Sequence, residues 1–187
     1  INTISALIRV DSEKARKLLI RLSQFFRSNL QGARKNLISL EKELEQVKAY
    51  QLLEQARFPD RYTVHLEIEE ELEKIAVPPF IVQILVENAF KHAFRSRKTD
   101  NHVWINVSKK EDYANIQVQD NGEGLPEDIV QQLGKEVVPS QKGTGSALEN
   151  LNRRLVSLFG EKACLRFDSN QEGTLVSCLI PIKKESD

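Results

Sequence analysis

Ala15, Leu18, Leu19, Leu22, Phe25, Phe26 and Leu30 recur at spacings of three and four, with Arg16, Lys17, Arg21 and Arg27 between them. That period predicts an amphipathic helix with a solvated basic face. Asp11 and Ser12 stand before it as N-cap candidates, and Gln31-Gly32 offers a stop. Ile1 to Val10 reads as the tail of a preceding helix joined through a kink. A second helix is expected from Ser39 through Leu40, Leu44, Val47, Tyr50 and Leu53 toward Pro59. Glu41 and Glu43 fall in its first turn, where carboxylates complement the helix dipole. The pair makes a helical hairpin. Apolar pairs at heptad spacing, Ile4 with Leu18 and Ala15 with Leu22, suit a seam shared with a second copy; packing on the rest of the chain would use the same stripe.

From Tyr62 the period changes to two. Tyr62 to Ile68 alternates as a half-buried strand, and Val103 to Val107, Ala114 to Val118, Ala163 to Phe167 and Thr174 to Ile180 read as further strands. Between them Pro78-Pro79 opens an apolar helix to about Phe94, and Ser146 to Phe159 forms an amphipathic helix closed by Gly160. The expected fold is α+β: a helical hairpin over residues 1–60, then a two-layer α/β sandwich of about 120 residues over 61–187, its mixed sheet covered by helices on one face.

Composition narrows the function. The 187 residues carry 27 Lys and Arg against 27 Asp and Glu, a balance that argues against a nucleic-acid partner. No apolar run reaches the roughly 18 residues needed to cross a bilayer. The chain contains no Met, and with no signal-peptide pattern at its start it reads as a piece excised from a longer protein. Cys164 and Cys178 lie in stretches that read as buried strands without metal-ligand spacing, which favours free thiols in a reducing compartment over a disulfide.

Three constellations carry candidate chemistry. In Glu87-Asn88-Ala89-Phe90-Lys91-His92, the stripe Ile81, Ile84, Leu85 ends in Asn88 and His92. A buried amide needs a partner, so Asn88 is either bonded to backbone or directed at a polar ligand; its oxygen also suits Mg²⁺. In Asp120-Asn121-Gly122-Glu123-Gly124, period two places Asp120 on the inward face with Ala114, Ile116 and Val118. A carboxylate there demands a donor, which the exocyclic amine of adenine would supply, and Gly122 and Gly124 would let backbone approach a planar base. Asn-Gly between strands is also a strong hairpin signal, against which Leu125 to Val130 does not look like a return strand. In Lys142-Gly143-Thr144-Gly145, glycines before a helix expose N–H groups to an anion, although a flexible loop explains them equally.

In this order and spacing, Pro79 to His92 resembles the N box, Asp120 to Gly124 the G1 box and Gly143 to Asn150 the G2 box of the GHKL (Bergerat) ATP-binding fold shared by histidine kinases, gyrase, Hsp90 and MutL. Leu22-Ser23-Gln24-Phe25-Phe26-Arg27, Leu40-Glu41-Lys42-Glu43-Leu44, Tyr50 and Ala56-Arg57-Phe58 resemble the LytS class of sensor histidine kinases. The resemblance covers essentially the whole chain. It implies ATP-dependent phosphorylation of a histidine and transfer of the phosphoryl group to a response-regulator aspartate. The acceptor histidine of that class sits in an Asn-Pro-His-Phe segment upstream of Ile1-Asn2-Thr3-Ile4. His65 on the polar face of its strand, His102 in a polar loop and His92 in the N box do not replace it.

By resemblance, Asn88 would ligate Mg²⁺. Lys91, His92 and Lys142 would meet phosphate oxygens, Asp120 would read adenine, and backbone amides around Gly143, Thr144 and Gly145 would cradle the phosphates. Gly122, Gly124 and Asn150 complete the nucleotide-binding set. Glu87 is the carboxylate placed to orient the attacking imidazole or take its proton; an exposed Glu87–Lys91 pair is the alternative. Leu125 to Gln141 reads as a lid over the nucleotide, against a plain surface helix. Ser146-Ala147 replaces the apolar residue and third glycine usual in the class, which would loosen nucleotide binding. Rival functions are a GHKL-type ATPase clamp and a catalytically weak nucleotide-binding docking module. The class further implies a homodimer, a response regulator of the LytTR type, and a bacterial plasma-membrane parent with this portion cytoplasmic, anchored by upstream segments.

Overall fold

The computed structural model describes residues 8–32, 35–58, 61–94, 99–133 and 146–183. Helix α1 (Ser12–Gly32) starts where Asp11 Oδ1 accepts the Lys14 N–H at 2.9 Å, a side-chain N-cap. Its apolar stripe divides. Ala15 and Leu18 are buried in a small cluster with Leu22, Leu53 and Ala56, whereas Leu19, Ile20, Phe26 and Leu30 are exposed. The kinked segment expected over Ile1 to Val10 is helical at residues 8–10, and residues 1–7 lie outside the described ones.

Strand β1 (Ile38–Ser39) leads into helix α2 (Leu40–Arg57), which starts one residue later than expected. Ser39 makes no side-chain cap bond. Instead the Leu40 and Glu41 N–H groups donate to the carbonyls of Ile75 and Glu73 at 3.0 and 2.8 Å. Strand β2 (Tyr62–Ile68) is followed by β3 (Ala76–Val77), which pairs antiparallel with β1. Two-residue strands carry no period, so this second sheet leaves no mark on the sequence pattern. Helix α3 (Ile81–Asn88) continues as one π-helical turn over Ala89–Ala93. It starts later than Pro79 because Phe80 sits in the left-handed region at φ 70° and ends the turn that precedes the helix.

The main sheet is completed by β4 (Asn101–Lys110), β5 (Tyr113–Asp120), β6 (Arg166–Asn170) and β7 (Gly173–Pro181), in the order β2-β4-β5-β7-β6. Strand β2 runs parallel to β4 and the other pairs are antiparallel. Helix α4 (Glu127–Gln132) follows β5, so Asn121-Gly122 is not a hairpin turn. Helix α5 (Ser146–Phe159) spans its expected residues.

Val103, Ile105 and Val107 of β4 and Ala114, Ile116 and Val118 of β5 face inward. Leu40, Leu44 and Val47 of α2, Ile81 and Leu85 of α3, and Leu151 and Leu155 of α5 close over them in one core. Helix α2 is thus part of the sandwich, while α1 packs on it from outside. Strand β6 begins at Arg166 rather than Ala163, because residues 161–163 form a 3-10 turn and the Leu165 N–H donates to Asn152 Oδ1 of α5 at 2.7 Å. Cys164 therefore lies before the strand, half-buried, and Cys178 is buried on β7, where burial pushes its thiol up to about 12; both are free thiols.

Candidate nucleotide site

The site is built where the end of β5 meets the end of α3. Asp120, the last inward residue of β5, is only 6% exposed. Its Oδ1 accepts the Gly122 N–H at 2.9 Å and the Thr174 N–H at 3.2 Å. Burial raises its carboxyl pKa, and these two N–H groups oppose the rise. Asn121 locks the same turn sideways: its Oδ1 accepts the His102 N–H at 2.8 Å and its Nδ2 donates to the Asp100 carbonyl at 3.0 Å.

The glycines of this turn meet protein backbone. A Cβ at Gly122 would stand 2.3 Å from the Ala93 carbonyl oxygen, and Glu123 N–H donates to that oxygen at 3.0 Å. Gly124 has φ +67°, and a Cβ there would lie 1.8 Å from the Asn170 carbonyl. The close approach expected toward a base is thus an approach of the turn to the last turn of the N-box helix and to the β6–β7 hairpin. Missing side chains let the turn after Asp120 pack on the end of the helix that carries Asn88.

Asn88 donates through Nδ2 to the Ile84 carbonyl at 2.7 Å. Of the two readings open for its amide, backbone bonding holds for the nitrogen, which leaves the oxygen as the atom to offer a cation. Glu87 accepts from Gln83 Nε2 at 2.8 Å and from Lys91 Nζ at 2.9 Å. The i,i+4 pair is therefore present, extended by Gln83. His92 lies half-buried on the π turn, a local widening common at functional sites. Asn150 is exposed near the start of α5. Lys142, Gly143, Thr144 and Gly145 lie outside the described residues, as do residues 134–141 of the expected lid; its described part, residues 125–133, contains α4, none of whose residues is buried.

Several groups around the site escaped the sequence reading. Phe90 of the π turn stacks on Tyr62 at 4.5 Å and on Tyr50 at 6.0 Å, and Arg61 donates to the Phe94 carbonyl at 3.1 Å. His102 is in β4 rather than a loop: Asn101 Nδ2 bonds the Arg61 carbonyl at 2.9 Å and starts the strand there. On the sheet, His102 Nδ1 lies 3.0 Å from His65 Nε2, with both rings stacked against Trp104. Glu43, read as a first-turn dipole partner, is instead fully buried against the start of α3.

A mixed sheet with helices on one face, an inward carboxylate closing β5 and an amide-bearing helix docked on the following glycine turn define a GHKL-type ATP-binding domain. The chain belongs to the histidine kinase-, DNA gyrase B- and HSP90-like ATPase family, which it matches over residues 79–184; residues 1–62 match the histidine kinase family. Along its whole length it is similar to LytS sensor proteins. It is 58% identical over 187 residues to sensor protein LytS of Staphylococcus epidermidis, and 51% over 188 to sensor histidine kinase/phosphatase LytS of Staphylococcus aureus. All of this chain is covered in both cases, and it spans 32% of the length of each relative. Among solved structures, the histidine kinase domain of a blue-light activated kinase from Erythrobacter litoralis shares the fold. Its TM-score is 0.59 at 22% identity, covering 95% of this chain and 85% of that one.

Proposed function

We propose that this chain is the ATP-binding catalytic portion of a two-component sensor histidine kinase of the LytS type. One observation carries the reading: the turn that follows the buried Asp120 carboxylate packs on the Ala93 carbonyl, at the end of the helix that carries Asn88. In this reading Asp120 accepts from the adenine amine, and Gly122 and Gly124 hold the turn that carries it. Asn88 offers its amide oxygen to Mg²⁺. Lys91, His92, Lys142 and the amides of Gly143, Thr144 and Gly145 meet the phosphates, with Asn150 completing the set. Bound Mg·ATP supplies a γ-phosphoryl group whose charge the metal neutralises.

The chain's own residues bind and orient. Phosphoryl transfer depends on positioning and charge neutralisation more than on covalent help, so most of these roles are electrostatic. Glu87, held between Gln83 and Lys91, orients the acceptor imidazole or takes its proton. Residues 1–60 are the end of the dimerisation and phospho-acceptor region and 61–187 the catalytic domain, with α2 of the first packed into the core of the second. Ala15, Leu18 and Leu22, whose heptad spacing suited a seam, pack within the chain on Leu53 and Ala56, so a homodimer seam would use the exposed Leu19, Phe26 and Leu30 of α1 instead. The parent protein is a bacterial plasma-membrane sensor with this portion cytoplasmic, and its phosphoryl group passes to a LytTR-type response regulator. No described helix is long and apolar enough to cross a membrane.

Calorimetry with a non-hydrolysable ATP analogue, with and without Mg²⁺, tests the reading. Binding strengthened by Mg²⁺ and abolished in its metal-dependent part by Asn88→Ala is the expected result. No binding at millimolar analogue would sink it. Phosphorylation of the intact parent protein separates a kinase from an ATPase clamp and from a silent docking module.

A further inference from the structure

The N-box helix begins without a cap of its own. Phe80 precedes it in the left-handed region and offers no side-chain acceptor, yet the first N–H groups of a buried helix need partners. They find one on another helix. Glu43 Oε2 accepts the Phe80 N–H at 2.8 Å, and Oε1 accepts those of Val82 and Gln83 at 3.0 and 3.1 Å. Glu43 is 0% exposed and stands on α2 between Leu40, Leu44 and Val47. Arg154 of α5 donates to the Pro79 carbonyl, and its charge acts on Glu43. Helices α2, α3 and α5 therefore meet at one turn. Seven residues further along α2, Tyr50 stacks on Phe90 of the π turn, so α2 grips the N-box helix at both ends.

Apolar packing alone would let two helices slide by a fraction of a turn, because dispersion contacts have little direction. Three hydrogen bonds to a single carboxylate do not allow that: they fix the N-box helix along its axis and about it. Replacing such a group by a well-packed apolar residue is often no loss of stability, so a role in specifying register is the better reason for a buried carboxylate here.

The geometry points to Glu43 as a positioning residue: by capping the N-box helix from α2, it joins the two helices into one body and sets where Asn88 and His92 are presented to the nucleotide. A displacement of α2 is then transmitted to the ATP site without any contact between α2 and ligand. The inference rests on the nucleotide reading given above for Asn88, His92 and Asp120.

The test measures binding of Mg²⁺ and a non-hydrolysable ATP analogue to the full 187-residue chain by calorimetry, together with amide exchange along α3. Glu43→Ala is expected to weaken the analogue roughly tenfold or more and to speed exchange as far as Asn88. Glu43→Asp, with a carboxylate on a shorter stem, recovers part of the affinity. Val47→Ala, a deletion on the same buried face of α2, leaves affinity unchanged. Wild-type affinity in Glu43→Ala, or an equal loss in Val47→Ala, overturns the proposal. Should Glu43→Ala fail to fold, Glu43→Gln is read in its place. Should the wild-type chain not bind the analogue, the nucleotide reading fails and exchange alone decides: faster exchange reaching Asn88 supports the proposal, and faster exchange confined to residues 80–83 overturns it.

Discussion

A buried carboxylate stands near each end of the N-box helix, Glu43 bonded to its start and Asp120 bonded within the turn that packs on its end, and the two are used differently. At the start, Glu43 spends both oxygens on three backbone N–H groups, with a guanidinium nearby. At the end, Asp120 takes two N–H groups on a single oxygen. Both carboxyls are pushed upward by burial, Glu43 to about 7. A carboxylate consumed on both oxygens by the chain's own backbone fixes geometry. One that meets backbone through a single oxygen has its other oxygen to offer, which is what the proposed adenine contact requires.

The largest test of that contrast is the pH dependence of stability. Glu43 titrates near 4.5 in an unfolded chain and at about 7 in the folded one. The folded state therefore holds the proton more tightly between those values. Its contribution to stability is complete below about pH 4.5 and is lost as pH rises through 7, by no more than about 3 kcal/mol. Urea denaturation of wild type and Glu43→Gln across pH 4.5 to 8.5 isolates it: the wild type should lose ground against the variant up to about pH 7 and then run parallel. A difference that does not change with pH would mean that Glu43 stays ionised, with its N–H partners outweighing burial.

Asp120→Asn comes next and addresses the other end. The amide keeps an acceptor for Gly122 and Thr174 but cannot act as a charged acceptor for adenine. ATP-analogue affinity should fall roughly 10- to 100-fold, with only a small change in thermal midpoint. A purine nucleotide without the 6-amino group should lose much less. Equal losses for both nucleotides would remove the adenine contact, and a collapse of the midpoint would make Asp120 a structural group like Glu43.

Gly122→Ala acts on the joint between the Asp120 turn and the end of the N-box helix. The added methyl meets the Ala93 carbonyl, so the turn or the π helix must shift, at a cost of about 1–3 kcal/mol. If the joint builds the site, analogue affinity falls together with stability. Lowered stability with intact affinity would show that the turn and the N-box helix can part without harm to the pocket.

The strands of the main sheet and the inward place of Asp120 were legible because their period runs over many residues. Strand β5 alternates over Ala114, Ile116, Val118 and Asp120, and the inward placement of Asp120 follows from counting by two. The partners of these residues were not legible, since Thr174, Ala93 and Arg61 reach them across the fold from distant parts of the chain. Glu43 is a different case. Leu40, Glu43, Leu44 and Val47 follow the i, i+3, i+4, i+7 spacing of a buried stripe, and Arg154 falls likewise beside Leu151 and Leu155. A charge inside an apolar stripe must find partners when buried, so both were visible as anomalies. Reading Glu43 only as a first-turn dipole partner concealed its position on the helix. The glycines misled in the other direction, because a close approach is written in sequence without naming what approaches.

The smallest effect separates the two readings of Glu87. Its pair with Lys91 joins side chains that are 25% and 48% exposed, so breaking it should change stability by at most about 0.5 kcal/mol. Lys91→Ala therefore leaves the fold as a spectator, and any marked loss of analogue affinity reports a phosphate contact. Glu87→Gln keeps an acceptor for Gln83 and Lys91 while removing the charge that could receive a proton. In the intact parent protein it should slow phosphorylation with nucleotide affinity unchanged. A parallel fall in both would place Glu87 with Glu43, among the groups that hold the helix rather than the reaction.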